Sequence, residues 1–297
     1  MKTLSKLCLA LLASMLLVSM VNMGLLSIFT KSEQSLSTQS INIITTSLSA
    51  ICYPILFQVF CLNVEKKSIT TLVRPMRFTF IDGLKYYLVL LGGTTILSFL
   101  GNKIENGIII LFGQANMSTT MTEQILEGVS FPIIFICVVV ISPIAEEFLF
   151  RKVLLERLLP YGSTVAIGIS SILFGLSHFN FEQLLYTVFL GIVCANIVVK
   201  TGKIRYAIYE HMLFNLFGGV VSGFIPNNFY ILLIIKTIFV IGAFIICIFY
   251  GKELFIFKTD KNTNLKEFDL KSEMRCRGFL LFILFFLLSA IGTLIEL

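Results

Sequence analysis

Apolar runs of about 20 residues recur along the whole of this 297-residue chain, and no other feature restricts its fold so severely. A run of that length crosses the roughly 30 Å of hydrocarbon in a bilayer as a helix. The runs lie near 7–29, 41–63, 84–101, 131–158, 163–180, 183–199, 205–225, 229–250 and 278–296. The segment 107–117 is apolar but too short, and reads as an interfacial or re-entrant piece. Composition agrees: 57% of residues are hydrophobic and 13% charged, against about 25% charged in soluble domains. Mean hydropathy is +0.93. The chain is therefore expected to be all-α, a polytopic membrane helical bundle with about 8–9 transmembrane helices. Three parts are expected: N-terminal transmembrane helices with an external loop (1–125), a core (126–250), and a basic linker with a last transmembrane helix (251–297).

Charge gives an orientation. Lys31 stands alone in its loop, and Lys103 is accompanied by Glu105, Glu123 and Glu127. The alternate loops carry Lys66, Lys67, Arg74, Arg77 and Lys85, then Arg151, Lys152 and Arg157, then Lys200, Lys203 and Arg205. The last carries seven Lys and Arg between Lys252 and Arg277. Basic loops face the cytoplasm, so a multi-pass protein of the cell membrane is expected, with a cytoplasmic N-terminus and, after nine spans, an external C-terminus. The first run, over 20 residues long, is expected to stay as an uncleaved signal-anchor helix. The net charge of +6 is spread over loops and gives no sign of nucleic-acid binding. Tyr86, Tyr87, Tyr161, Tyr206, Tyr230 and Tyr250 lie near span ends, where an amphipathic ring is favoured. The seven cysteines show no paired spacing and read as small hydrophobes.

Ionisable groups at membrane depth are costly and mark functional sites. The chain has two histidines, His178 and His211, both within apolar runs, and a carboxylate pair, Glu146-Glu147, followed by Arg151. Pro143 stands one turn before Glu146 and removes a backbone hydrogen bond, so a kink is expected there. Glu147 and Arg151, four apart with the acid first, suit an intrahelical ion pair. Glu146 is turned about 100° away and stays free to act as a base. Glu156 and Arg157 read instead as compensated charge at a helix end. The breaker Pro160-Tyr161-Gly162 closes a hairpin. At 1.5 Å per residue Glu146 lies roughly 20 Å, and His178 roughly 24 Å, from that turn. His211 and Asn215 share a helix face. Glu210 points about 100° from His211 and is a candidate acceptor for an imidazole N–H, while Lys236 reads as a snorkelling lysine.

Absences narrow the chemistry. The three aspartates, Asp82, Asp260 and Asp269, lie in loops or at span ends, which excludes a two-aspartate protease; neither HExxH nor a GxSG-type serine motif is present. A glutamate, two histidines and an asparagine remain, a set able to activate water. Two chemistries are open: His178 and His211 with a glutamate could hold Zn²⁺, or Glu146 could act without metal as general base.

The motifs resemble those of the CPBP intramembrane proteases, comprising type II CAAX prenyl endopeptidases and their bacteriocin-processing and abortive-infection-like relatives. Glu146-Glu147-Phe148-Leu149-Phe150-Arg151 matches that family's EExxxR, Phe174-Gly175-Leu176-Ser177-His178 its FxxxH, and His211-Met212-Leu213-Phe214-Asn215 its HxxxN/D. The resemblance covers about 131–225 and implies a helical core around a conical cavity. It implies Glu146 as the base, with His178 nearby and His211 and Asn215 on the oxyanion. The substrate it implies is a membrane-associated peptide or protein; with no soluble domain visible in the sequence, that substrate is expected to arrive through the lipid bilayer. A non-enzymatic immunity or regulatory protein on the same fold is the alternative reading, and a proton-relaying transporter a third.

Overall fold

A helix pairs its own backbone amides, which hydrocarbon cannot do for it, and each apolar run is helical over most of its described residues in the computed structural model. The structure describes residues 2–32, 36–68, 76–111, 128–217, 229–255 and 266–296. In chain order the helices are α1 (Thr3–Ser32), α2 (Thr38–Ala50), α3 (Cys52–Phe60), α4 (Phe80–Leu111), α5 (Phe131–Tyr161), α6 (Ser163–Leu176), α7 (Phe181–Thr201), α8 (Ile204–Phe214), α9 (Phe229–Phe255), α10 (Leu270–Met274) and α11 (Arg277–Glu296). Among the described residues there are six helices or helix pairs long and apolar enough to cross a membrane; α6 and α11 are shorter apolar helices. The protein is a multi-pass membrane helical bundle. The described cysteines are all free thiols.

Two runs of the sequence form one element. The expected span at 84–101 and the start of the segment at 107–117 join in α4, which runs unbroken from Phe80 to Leu111; residues 112–117 lie outside the described residues. Gly101 and Gly107 do not end the helix, since an interior glycine costs only about 1 kcal/mol. Gly101 has a packing reason to be there: a Cβ at this position would meet the Glu182 carbonyl oxygen at 2.4 Å. Small residues let membrane helices approach backbone to backbone, and α4 packs closely on α7 in this way.

The basic segments gather at one end of the bundle. Lys67 N–H donates to the Glu156 carbonyl, Met76 N–H to the Lys200 carbonyl and Lys266 N–H to the Pro160 carbonyl. Tyr161 O–H donates to Thr3 Oγ1 at 2.7 Å, and Lys200 reaches the Glu253 carbonyl. These contacts tie the α5–α6 turn, the α3–α4 and α7–α8 connections and the starts of α1 and α10 into one basic end. Tyr86 is not in an interfacial belt: it is buried and donates to the Leu254 carbonyl at 3.0 Å. That carbonyl is among the last of α9, where helical partners run out.

Arg157 also departs from expectation. It is 2% exposed and does not compensate Glu156, which pairs with Lys152 at 2.7 Å. Its guanidinium donates to the Cys61 carbonyl (3.2 Å), the Val153 carbonyl (2.9 Å) and Gln58 Oε1 (3.1 Å). A planar five-donor group suits an array of carbonyls at a helix terminus, and Arg157 thus clamps the end of α3 onto α5. Gly101→Ala is expected to destabilise the protein by about 1–3 kcal/mol through overpacking against α7, read as a lower unfolding temperature in detergent; an unchanged temperature would contradict the close α4–α7 packing.

Candidate active site

The site is organised by Glu147, whose side chain is fully buried, as is that of Arg151. A buried carboxylate survives only with partners, and Glu147 has two. Arg151 Nε lies 3.1 Å from Oε2, the i,i+4 pair that the spacing suggests. His211 Nδ1 donates to Oε1 at 3.0 Å, tying α8 to α5. The Arg151 guanidinium lies over the Phe174 ring, 4.7 Å from its centroid, a cation–π contact. Phe174 also meets His178 edge-on at 4.9 Å and His211 at 5.9 Å. One ring therefore touches both imidazoles and lies against the arginine of the ion pair.

With Nδ1 donating to a carboxylate, the His211 ring has a fixed orientation and tautomer. Its other nitrogen, Nε2, faces Glu146 Oε2 at 3.8 Å. Glu146 is the exposed member of the pair, with 30% of its side chain accessible. Neighbours on one helix thus have opposite surroundings: Glu147 is enclosed and compensated, Glu146 open and aimed at an imidazole.

Asn215 is placed by a defect in α5. Residues Phe135–Ile141 are π-helical, with Ser142 N–H bonded to the Cys137 carbonyl five residues back. In that register the next donor would be residue 143, a proline without N–H. The Val138 carbonyl so released accepts from Asn215 Nδ2 at 2.9 Å. A second π-helical stretch, Phe148–Leu154, follows the glutamates; such distortions are frequent at functional sites.

His178 stands in the short turn between α6 and α7. Its Nδ1 donates to the Phe174 carbonyl at 2.9 Å, leaving Nε2 as the outward nitrogen, and Glu146 and His211 both act electrostatically on the ring. Phe179 is the sole non-glycine at positive φ (53°) among the described residues, a strained conformation for a bulky side chain. Asn180 bridges the turn, accepting from Gln183 N–H at 2.7 Å and donating to the His178 carbonyl at 3.0 Å. From α4, Glu105 accepts the Glu182 N–H at 2.6 Å. Sequence reasoning missed these supports, although Asn three residues before Gln at a helix start is a legible capping signal.

Glu210 does not serve an imidazole. It is buried against α4, its Oε1 2.9 Å from where a Cβ on Gly83 would stand, while the His211 N–H goes to Glu147. As to metal, two imidazoles and a carboxylate have zinc-type chemistry, but among the described residues no three His, Cys, Asp or Glu side chains are arranged to hold an ion. His211 Nδ1 is committed to Glu147, which leaves Nε2 as the ring nitrogen that could face an ion. Arg151→Met is expected to cost about 3–5 kcal/mol by leaving Glu147 buried and unpaired. Glu147→Gln/Arg151→Met should recover most of that loss in the same detergent unfolding assay, and equal losses would contradict the pairing.

Residues 128–217 match a family model described as type II CAAX prenyl endopeptidase Rce1-like. YdiL of Bacillus subtilis (strain 168), named as a candidate membrane peptidase, is 31% identical over 98 residues, 32% of this chain and 40% of that protein. The membrane-embedded CAAX protease MroQ of Staphylococcus aureus (strain USA300) is 27% identical over 114 residues, 36% of this chain and 46% of that protein. The chain thus spans less than half the length of these relatives. No solved structure matches it. The kinship with CAAX proteases drawn from the three motifs is borne out over residues 128–217, the segment that holds every residue of the site.

Proposed function

We propose that this protein is an intramembrane endopeptidase that hydrolyses a peptide bond of a membrane-associated peptide or protein near the cytoplasmic face, with Glu146 activating the water. The observation that carries this reading is the asymmetry of the glutamate pair. Both oxygens of Glu147 have partners in Arg151 and His211, whereas Glu146 is partly open and 3.8 Å from His211 Nε2.

Glu146 takes a proton from water, and the hydroxide adds to the scissile carbonyl. The resulting oxyanion is stabilised by His211 and Asn215; removing one such donor typically costs 10²–10³-fold in rate. Because His211 Nδ1 already donates to Glu147, its Nε2 donates to the oxyanion once the ring carries a second proton. Asn215 has committed one N–H to Val138 and keeps a second. When the tetrahedral intermediate collapses, Glu146 returns the proton to the leaving amine and the C–N bond breaks. His178 presents Nε2 beside the reacting atoms, with its turn held by Asn180 and Glu105.

The basic end, where Thr3, Tyr161, Lys200 and Lys266 meet, corresponds to the cytoplasmic face by the positive-inside rule. Gly278 lies beside Ser5, so α1 and α11 start at the same end; this supports a cytoplasmic N-terminus and an external C-terminus. No step is routed through a metal. Comparative peptidomics of cells carrying wild-type or Glu146→Gln protein tests the reading. Specific membrane-peptide products should fall by about 10²–10⁴-fold in the variant, and products at wild-type level would refute it. Phenanthroline treatment of membranes should leave the wild-type rate unchanged; a loss restored by Zn²⁺ would transfer the chemistry to a metal centre on His178 and His211.

A further inference from the structure

Two cavities at the basic end differ in how their charge is balanced. The smaller, about 240 Å³, is lined by Lys6, Glu65, Arg157 and Lys266 among others. There Lys266 pairs with Glu65, and Arg157 is spent on the end of α3. The larger, about 770 Å³, lies between the starts of α1 and α11 and is lined by Lys2, Lys271, Arg275 and Arg277, with Ser5 and Ser272. None of these four cations is in an ion pair among the described residues. One carboxylate, Asp269, also lines the cavity and accepts the Ser272 N–H at 3.2 Å, while Glu273 accepts the Leu4 N–H at 3.2 Å.

The cavity is built by close packing. A Cβ on Gly278 would meet the Ser5 carbonyl oxygen at 2.3 Å, and the Gly278 N–H donates to Ser5 Oγ at 3.0 Å. Ser5 Oγ accepts this bond, so its own O–H remains to donate. Lys2 donates to Ser272 Oγ, which leaves that hydroxyl free to donate too. Leu9 and Leu281 complete the wall, and α11 continues outward with exposed Leu280, Leu284 and Leu288. Cations and hydroxyl donors thus stand at a helix start, with bare leucines along the helix beyond.

We propose that this cavity binds the phosphate-bearing headgroup of an anionic phospholipid, whose acyl chains lie along the exposed leucines of α11. Four cations that outnumber the lining carboxylate Asp269 and form no ion pair with it call for an anion, and the hydroxyls suit phosphate oxygens. The continuous apolar wall distinguishes a lipid from a free phosphate. Basic pockets beside membrane helices recognise such headgroups, and the attraction falls off within a Debye length.

The test is native mass spectrometry of the full chain released from detergent in the presence of phosphatidylglycerol, phosphatidylcholine or glycerol phosphate. Wild-type protein should retain phosphatidylglycerol in preference to both others. Lys2→Gln/Lys271→Gln/Arg275→Gln/Arg277→Gln should retain about tenfold less of it, and the single variant Arg275→Gln a smaller share of that loss. Lys66→Gln/Lys203→Gln/Arg205→Gln/Lys252→Gln, with equal charge removed elsewhere at the same end, should retain it as wild type does. Equal retention of phosphatidylcholine, equal retention of glycerol phosphate, or an equal loss in the second quadruple variant would each overturn the proposal. The outcome does not depend on whether the chain is a peptidase.

Discussion

A single buried carboxylate holds the centre of this molecule. Glu147 carries charge where water cannot reach it, at a desolvation cost of several kcal/mol per ion. That cost is offset by Arg151 on one oxygen and His211 on the other. The first contact is within a helix and the second is between helices, so the charge that α5 must neutralise also decides where α8 sits and how His211 is turned. Glu146, one residue away and about 100° around the helix, inherits the open side and the free imidazole nitrogen. The division of labour between the two glutamates follows from helix geometry and from having one arginine to serve them.

Around that centre, irregular backbone does the positioning. Pro143 cannot fill the last bond of the π-helical stretch, and Asn215 takes the carbonyl it abandons. The missing backbone bond becomes the anchor of a carboxamide in the site. The turn carrying His178 is held by its own asparagine, by Glu105 and by the close approach of Gly101. Those last two residues lie outside the segment that resembles CAAX proteases. The N-terminal helices are therefore part of the scaffold of the site, as is Arg157 where it binds the end of α3.

What the sequence revealed and concealed has a physical pattern. Apolar runs became helices because hydrocarbon leaves the backbone no other partners, and the Glu147–Arg151 pair was legible because i,i+4 neighbours are fixed by the helix itself. The hairpin about Pro160 was legible too, but the expected helix through His178 stops at Leu176, and the histidine stands in the turn beyond. The His211–Glu147 bond joins residues 64 apart, which no local spacing encodes. Arg157 looked like a helix-end charge because its partners, carbonyls of Cys61 and Val153, are backbone atoms present at every residue. Tyr86 was assigned to an interface for the same reason: the carbonyl that satisfies it carries no mark in the sequence. α4 was divided because 107–117 is too short to span by itself, and nothing local shows that it continues the helix that Gly101 packs on α7.

The orientation of His211 carries the account, and a chain with two histidines lets it be read directly. In ¹⁵N-histidine-labelled protein, tautomer assignment by nitrogen chemical shifts should find Nδ1 protonated on His211, with that signal shifted by Glu147→Ala and not by Glu105→Ala. A bare Nδ1 with the proton held on Nε2 would mean that Glu147 does not hold the ring, and the separation of roles between Glu146 and Glu147 would fall with it.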